Sequence, residues 1–190
     1  MSNYFLYSYL DDSAKSYYRD FFQSLRSFKR SVTFKNASEL GFNYKYLGKN
    51  LSEDTVLALE KVYADFISSL HISCFTHQVR KINYEGSLIS AKLKETPELH
   101  EYFRMVNDQL QKLDDDNLIL PKDPNRRLGA IKLAEITSNI SRQDKKKLLE
   151  HIQNYEELGQ IEVCNLSLIK TDLVKHKRVQ AKLWEIRLMR

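Results

Sequence analysis

The chain has 190 residues, 42% of them hydrophobic, with 30 Lys and Arg against 25 Asp and Glu, a formal charge of +5 and a pI near 9.0. That is enough apolar material for one compact domain spanning 1–190, or for two closely packed lobes, with eleven Tyr and nine Phe to supply buried area. Cys74 and Cys164 alone exclude a disulfide framework and a cysteine-rich zinc site, so a reduced, cytosolic setting is expected, and the slight positive balance leans only gently towards anionic partners.

Residues 3–10 are short and aromatic-rich, which reads as a strand; flanked by Asn3 and two acids and broken by Ser8, they suit neither a signal peptide nor a membrane span. Asp11, Asp12 and Ser13 offer a helix start, and Tyr17, Tyr18, Phe21, Phe22, Leu25 and Phe28 then repeat at helical spacing. A strand is expected over 40–47, ending at Gly48. Ser52 caps the next helix, with Glu53 and Asp54 placed favourably against its dipole. Extended segments follow at about 70–82 and 87–94, turning at Glu85-Gly86. Thr96 and Pro97 then open a helix carrying Leu99, Phe103, Val106, Leu110 and Leu113.

Two prolines and four acids over 114–127 mark the best candidate for a mobile loop. A strand is expected over 128–136, and Ser141 with Asp144 begins a helix in the manner of a capping box. Strands at about 160–169 and 179–189 close the chain; in the last, Trp184, Ile186 and Leu188 alternate with Glu185 and Arg187. Strands are not regularly followed by crossover helices, so the order points to an α+β fold rather than a doubly wound parallel sheet.

Two segments stand out. Gly41-Phe42-Asn43-Tyr44-Lys45-Tyr46-Leu47-Gly48 runs into the Ser52-capped helix, and Ala130-Ile131-Lys132-Leu133-Ala134-Glu135-Ile136 follows 89 residues later (130 − 41). With the closing pair, Ile161 to Leu173 and Trp184 to Leu188, they resemble the 2H phosphoesterases, the family of 2′-5′ RNA ligase-like proteins and cyclic nucleotide phosphodiesterases. The resemblance spans nearly the whole chain and implies a two-lobed fold, with antiparallel sheets around a central cleft and helices outside. The family places one His-x-Thr or His-x-Ser strand motif in each lobe. Here Gly41 and Asn43 stand at the first motif, Ala130 and Lys132 at the second. His71-Ile72-Ser73 has the literal motif form. It lacks the following Leu-Gly and helix, and it reads as an ordinary strand histidine.

In the family one imidazole takes a proton and the other gives one, a task suited to a group titrating near neutrality. Gly41 and Ala130 have no titratable atom, so the resemblance implies a degenerate, non-catalytic member. Binding is the expected remainder. Strand periodicity puts 41, 43 and 45 on one side and 130, 132 and 134 on one side. Asn43, Lys45 and Lys132 are therefore the candidate phosphate ligands, and Tyr4, Tyr44 and Tyr46 the candidate base platforms. The implied partner is a nucleotide, a cyclic oligonucleotide or an RNA phosphate. Two other readings stand beside it: a divergent phosphodiesterase working through Lys132, Glu135 or a tyrosine, and a protein-interaction domain. No cofactor or metal is called for: there is no Gly-rich phosphate loop, and His71 and His77, on one strand face, lack a third ligand. Arg126-Arg127 and Lys145-Lys146-Lys147 are basic clusters, the second read as a solvated helix face.

Overall fold

The computed structural model describes residues 2–113, 130–137, 140–174 and 177–189. The proposed loop over 114–127, with Arg126 and Arg127, lies outside them. The first strand, β1 (Asn3–Tyr9), leads into α1 (Asp12–Ser24), where the Asp11 carboxylate accepts the Ala14 amide at 2.9 Å. It thereby satisfies one of the N–H groups that a helix start leaves open. The apolar stripe extended to Phe28, but α1 stops at Ser24 and Arg26–Phe28 forms a separate 3-10 turn.

The other helices begin at the expected caps. Ser52 accepts from the Thr55 amide at 3.1 Å to start α2 (Glu53–Ser69), and Thr96 from Leu99 at 3.2 Å to start α3 (Pro97–Leu110). Ser141 accepts from Asp144 at 3.0 Å to start α4 (Arg142–Asn154), and its hydroxyl donates to the Asp144 carboxylate at 2.8 Å. Each such cap contributes about 0.5–2 kcal/mol.

The remaining strands are β2 (Val32–Phe34), β3 (Gly41–Lys49), β4 (Phe75–Glu85), β5 (Leu88–Leu93), β6 (Ala130–Ile136), β7 (Gln160–Val163), β8 (Asn165–Val174) and β9 (Lys177–Arg187). They form two sheets of order β3-β1-β8-β9 and β2-β6-β5-β4-β7, with antiparallel pairing throughout. The stretch 160–169, expected as one strand, is two. β7 pairs with β4 in one sheet, β8 with β1 and β9 in the other, and the chain changes sheet at Cys164. Asn165 anchors the change: its side-chain oxygen accepts the Tyr9 amide at 2.8 Å and its NH2 donates to the Tyr9 carbonyl at 2.9 Å.

Each sheet has its own helices. α2 and α3 pack together and against β9 and β3, and the Tyr63 hydroxyl donates to the Val106 carbonyl at 2.7 Å. α4 packs on β4; Phe22 of α1 meets Phe34 of β2 at 5.2 Å, and Phe21 meets Tyr155 at 4.8 Å. Tyr18, Phe21, Phe42 and Tyr63 are all but fully buried in a core continuous through both lobes. No described helix is long and apolar enough to cross a membrane.

Two further expectations are corrected. His71 is no strand residue: it follows α2 in a turn with φ of 49°, so it shares no strand face with His77 of β4. Cys74 and Cys164 are joined in a disulfide, their Cα atoms 4.5 Å apart across 90 residues of sequence, where the cysteine count had suggested a reduced pair. The backbone brings them together, because the Cys74 amide donates to the Met189 carbonyl and the Leu188 amide to the Cys164 carbonyl.

Candidate functional site

β3 and β6, from different sheets, meet at the seam between the lobes. There Gly41 and Ala130, the first residues of the two strands, line one cavity of about 90 Å³. Asn43, Tyr7 and Phe5 form one wall, with Thr171 and Gln180 beyond them. Lys132 comes to the cavity from β6 of the other sheet, and Lys35 and Glu39 from the segment between β2 and β3.

Irregular strand pairing decides which side chains reach this cavity. In β3, Asn43 pairs with Tyr7 and Lys45 with Leu6, leaving Tyr44 as an extra residue. A β-bulge of this kind sets two residues against one and turns the following side chains over. Asn43 keeps the cleft face beside Tyr7. Lys45 falls opposite the fully buried Leu6, on the core side, where burial pulls its ammonium below the usual lysine range. The expectation that 41, 43 and 45 share the cleft face therefore holds for Gly41 and Asn43 and fails for Lys45.

The tyrosines divide in the same way. Tyr44 lies inside the core against Phe42, Tyr102 and Phe103, and Ser8 donates to its hydroxyl at 2.9 Å. Tyr4 is 6% exposed and belongs to the same core. Neither offers a face to a base. Tyr46 returns to the cleft side of the sheet beside Phe5, at 5.2 Å, outside the cavity itself and with its hydroxyl donating to Asn3 at 3.3 Å.

β6 carries a matching irregularity. Lys132 pairs with Ser90 and Ala134 with Ile89, so Leu133 is extra. Ala130 and Lys132 thus face the inner cavity, and after the bulge Glu135 takes the exposed side. Lys132 is exposed and makes no ion pair among the described residues. Ala134, expected to share its face, is almost fully buried but touches the adjoining compartment.

Residue 41 has no room for a side chain. A Cβ there would stand 2.1 Å from the Ser8 carbonyl oxygen and 2.4 Å from Cε1 of Tyr7. Tyr7 therefore covers the position at which the first histidine motif was read. Its hydroxyl donates to the Glu39 carbonyl at 2.7 Å, and burial pushes it far above the usual tyrosine range, so it cannot serve as a base near neutrality. None of the described histidines lines the cavity.

Tyr7, Lys35, Glu39 and Gln180 escaped the sequence reading. Phe5, Tyr7 and Tyr9 alternate in β1 and were legible as one face; Lys35 follows a strand of only three residues and carried no pattern. Among the described residues, Cys74, Glu162 and Cys164 are the one group close enough to share a metal ion, but both sulfurs are spent in the disulfide. Of the basic helix face, Lys145 lies over the Tyr84 ring at 5.1 Å and Lys146 pairs with Glu150 at 3.8 Å.

Two lobes of antiparallel sheet with outer helices, meeting in a cleft between the two motif strands, define an α+β fold of the 2H phosphoesterase kind. No family model and no curated protein matches the chain. Among solved structures it is similar to TT0787 of Thermus thermophilus, with a TM-score of 0.70 and 14% identity over 98% of this chain and 97% of that one. It is also similar to E. coli LigT complexed with 3′-AMP, with a TM-score of 0.66 and 11% identity over 100% and 99%. LigT complexed with ATP gives a TM-score of 0.62 and 11% identity over 100% and 98%. At these identities the likeness is one of fold.

Proposed function

We propose that this protein binds a nucleotide by its phosphate at the seam between the lobes and holds it without cleaving it. The observation that carries the reading is Lys132, an exposed ammonium with no ion pair among the described residues, in the same cavity as Gly41 and Ala130. A cation placed there attracts a phosphate, and Asn43 across the cavity adds amide donors. No histidine stands among the described lining residues to supply the acid and base of cleavage by two imidazoles. Solved structures of LigT with 3′-AMP, with phosphate and with ATP lend the fold a precedent for such ligands. Binding without turnover is what sequestering a cyclic nucleotide or RNA end would need.

Calorimetric titration with 3′-AMP and 2′,3′-cyclic AMP, followed by chromatography of the recovered ligand, tests this. Intact ligand and a loss of roughly 10- to 150-fold in affinity for Lys132→Ala are expected, the range for a hydrogen bond to a charged group. Cleaved ligand would restore the divergent phosphodiesterase, and unchanged affinity in the variant would remove the phosphate from Lys132.

A further inference from the structure

The cleft does not end at the small inner cavity. Lys35, Glu39 and Lys132 also line a second compartment of about 560 Å³, bounded by Thr33, Phe34, Leu88 and Leu173, with Glu135 on its wall. The two spaces share three residues and so form one groove, polar and cationic at the inner end and partly apolar at the outer. A compartment of this size lies within the about 300–1,000 Å³ typical of small-molecule sites.

Its lining is unlike that of a second phosphate site. Lys35, Lys132 and Glu39 line both spaces, but Glu135 lines the outer one alone, so there two carboxylates offset two ammonium groups and little net attraction is left for another phosphate. Phe34 and Leu88 are half-buried, and Leu173 is 70% exposed beside them, leaving apolar surface for the faces of a flat ring. Glu135 is held at a definite place: it follows the bulge of β6 and pairs with Thr33 on one side and Leu88 on the other. A carboxylate there accepts two parallel hydrogen bonds and gives none.

Among the bases, guanine presents two adjacent donors, N1–H and the N2 amino group, and carries acceptors at O6 and N7. Lysine is a matching partner for those acceptors. Adenine and cytosine set an acceptor beside their amino group, and uracil flanks its single N–H with two carbonyls. Each of the three would bring a lone pair against the carboxylate.

We propose that this outer compartment is a base pocket selective for guanine, with Glu135 reading N1 and N2, Lys35 facing the O6 side, and Phe34, Leu88 and Leu173 covering the ring. The ligand is then a guanine nucleotide or a guanine-bearing phosphodiester whose phosphate lies at Lys132. This rests on the phosphate reading above and adds the identity of the base.

The experiment is competition binding of 3′-GMP, 3′-AMP, 3′-CMP and 3′-UMP, with inorganic phosphate alongside, on the full chain and on Glu135→Gln. 3′-GMP is expected to bind roughly 5- to 150-fold more tightly than the other three, the discrimination of a good bidentate contact. Glu135→Gln exchanges one acceptor for a donor, which suits the N1 and N6 edge of adenine, so the preference should swing towards 3′-AMP. Equal binding of all four nucleotides, or a guanine preference unchanged in Glu135→Gln, overturns the base pocket and leaves the phosphate site standing. Failure of every nucleotide and of phosphate to bind overturns both.

Discussion

Replacing Gly41 with alanine tests whether the histidine position has been closed by the strand behind it. The added Cβ would lie 2.1 Å from the Ser8 carbonyl oxygen and 2.4 and 2.7 Å from two ring carbons of Tyr7, whereas real Cβ contacts essentially never fall under 3.0 Å. Neither neighbour yields readily. Tyr7 is 7% exposed, tied by its hydroxyl to Glu39 and packed edge-on against Tyr9 at 4.9 Å. Ser8 pairs with Phe42, and its side chain bonds the Asn165 carbonyl and Tyr44. The strand would have to move by most of an ångström. Overpacking typically costs about 1–3 kcal/mol, and a clash with paired backbone belongs in the upper half, about 2–3 kcal/mol. In a chain of this size each kcal/mol moves Tm by about 2–4 °C, so thermal unfolding should show a fall of about 4–12 °C. Gly86→Ala is the control: φ is 65° with no atom within 4 Å, so only a left-handed backbone penalty of about 1–2 kcal/mol applies. A Gly41→Ala protein melting within about 1 °C of its parent would refute the reasoning, since that corresponds to less than about 0.5 kcal/mol. By the same geometry, Gly41→His with Ala130→His should destabilise the protein without yielding hydrolysis of 2′,3′-cyclic nucleotides.

Lys45→Met should leave 3′-AMP affinity within about twofold, because the ammonium lies on the core side of the sheet and independent sites add; a tenfold loss by calorimetry would return Lys45 to the cleft. His77 is buried with its Nε2 unpartnered, and desolvation, opposed by Glu98, holds its pKa below the ordinary 6.5. The unfolded chain therefore takes up the proton more readily, and this stability is present above about pH 6.5 and lost as pH falls from there. His77→Phe should accordingly show a smaller drop in Tm between about pH 7.5 and pH 5 than the parent, and an identical drop would exclude His77 as the cause. Asp11→Ala removes both the α1 cap and the acceptor for the Glu162 amide at 2.9 Å. Urea unfolding should register a loss of about 1–3 kcal/mol, whereas a change under about 0.5 kcal/mol would mean that water replaces both bonds.

Local chemistry was legible in the chain. Ser52, Thr96 with Pro97, and Ser141 with Asp144 start helices because a side-chain oxygen two or three residues ahead of an open amide is a contact of neighbours, independent of the rest of the fold. The apolar stripes of the helices and the alternation of Trp184, Ile186 and Leu188 with Glu185 and Arg187 were readable for a similar reason, their periods being properties of a single element. The meeting of the Gly41 and Ala130 segments at one seam was suggested by their resemblance to a family layout, and the contact between β3 and β6 puts them there.

What the sequence alone could not carry was the face each residue takes. Strict alternation put Lys45 in the cleft and left Tyr44 and Tyr46 open to either side. The bulge at Tyr44 reversed Lys45, and packing against Tyr102 and Phe103 claimed Tyr44. A bulge is a mismatch between two strands about forty residues apart, so it leaves no mark in either one. The same holds for the division of 160–169 at Cys164, where two sheets compete for one extended segment, and for the disulfide, which depends on 90 residues of intervening chain returning to one place. Tyr7 took its place over Gly41 only when β1 paired with β3, and Lys35 and Glu135 took theirs on the outer compartment only when β2 and β5 paired with β6, contacts between segments far apart in sequence.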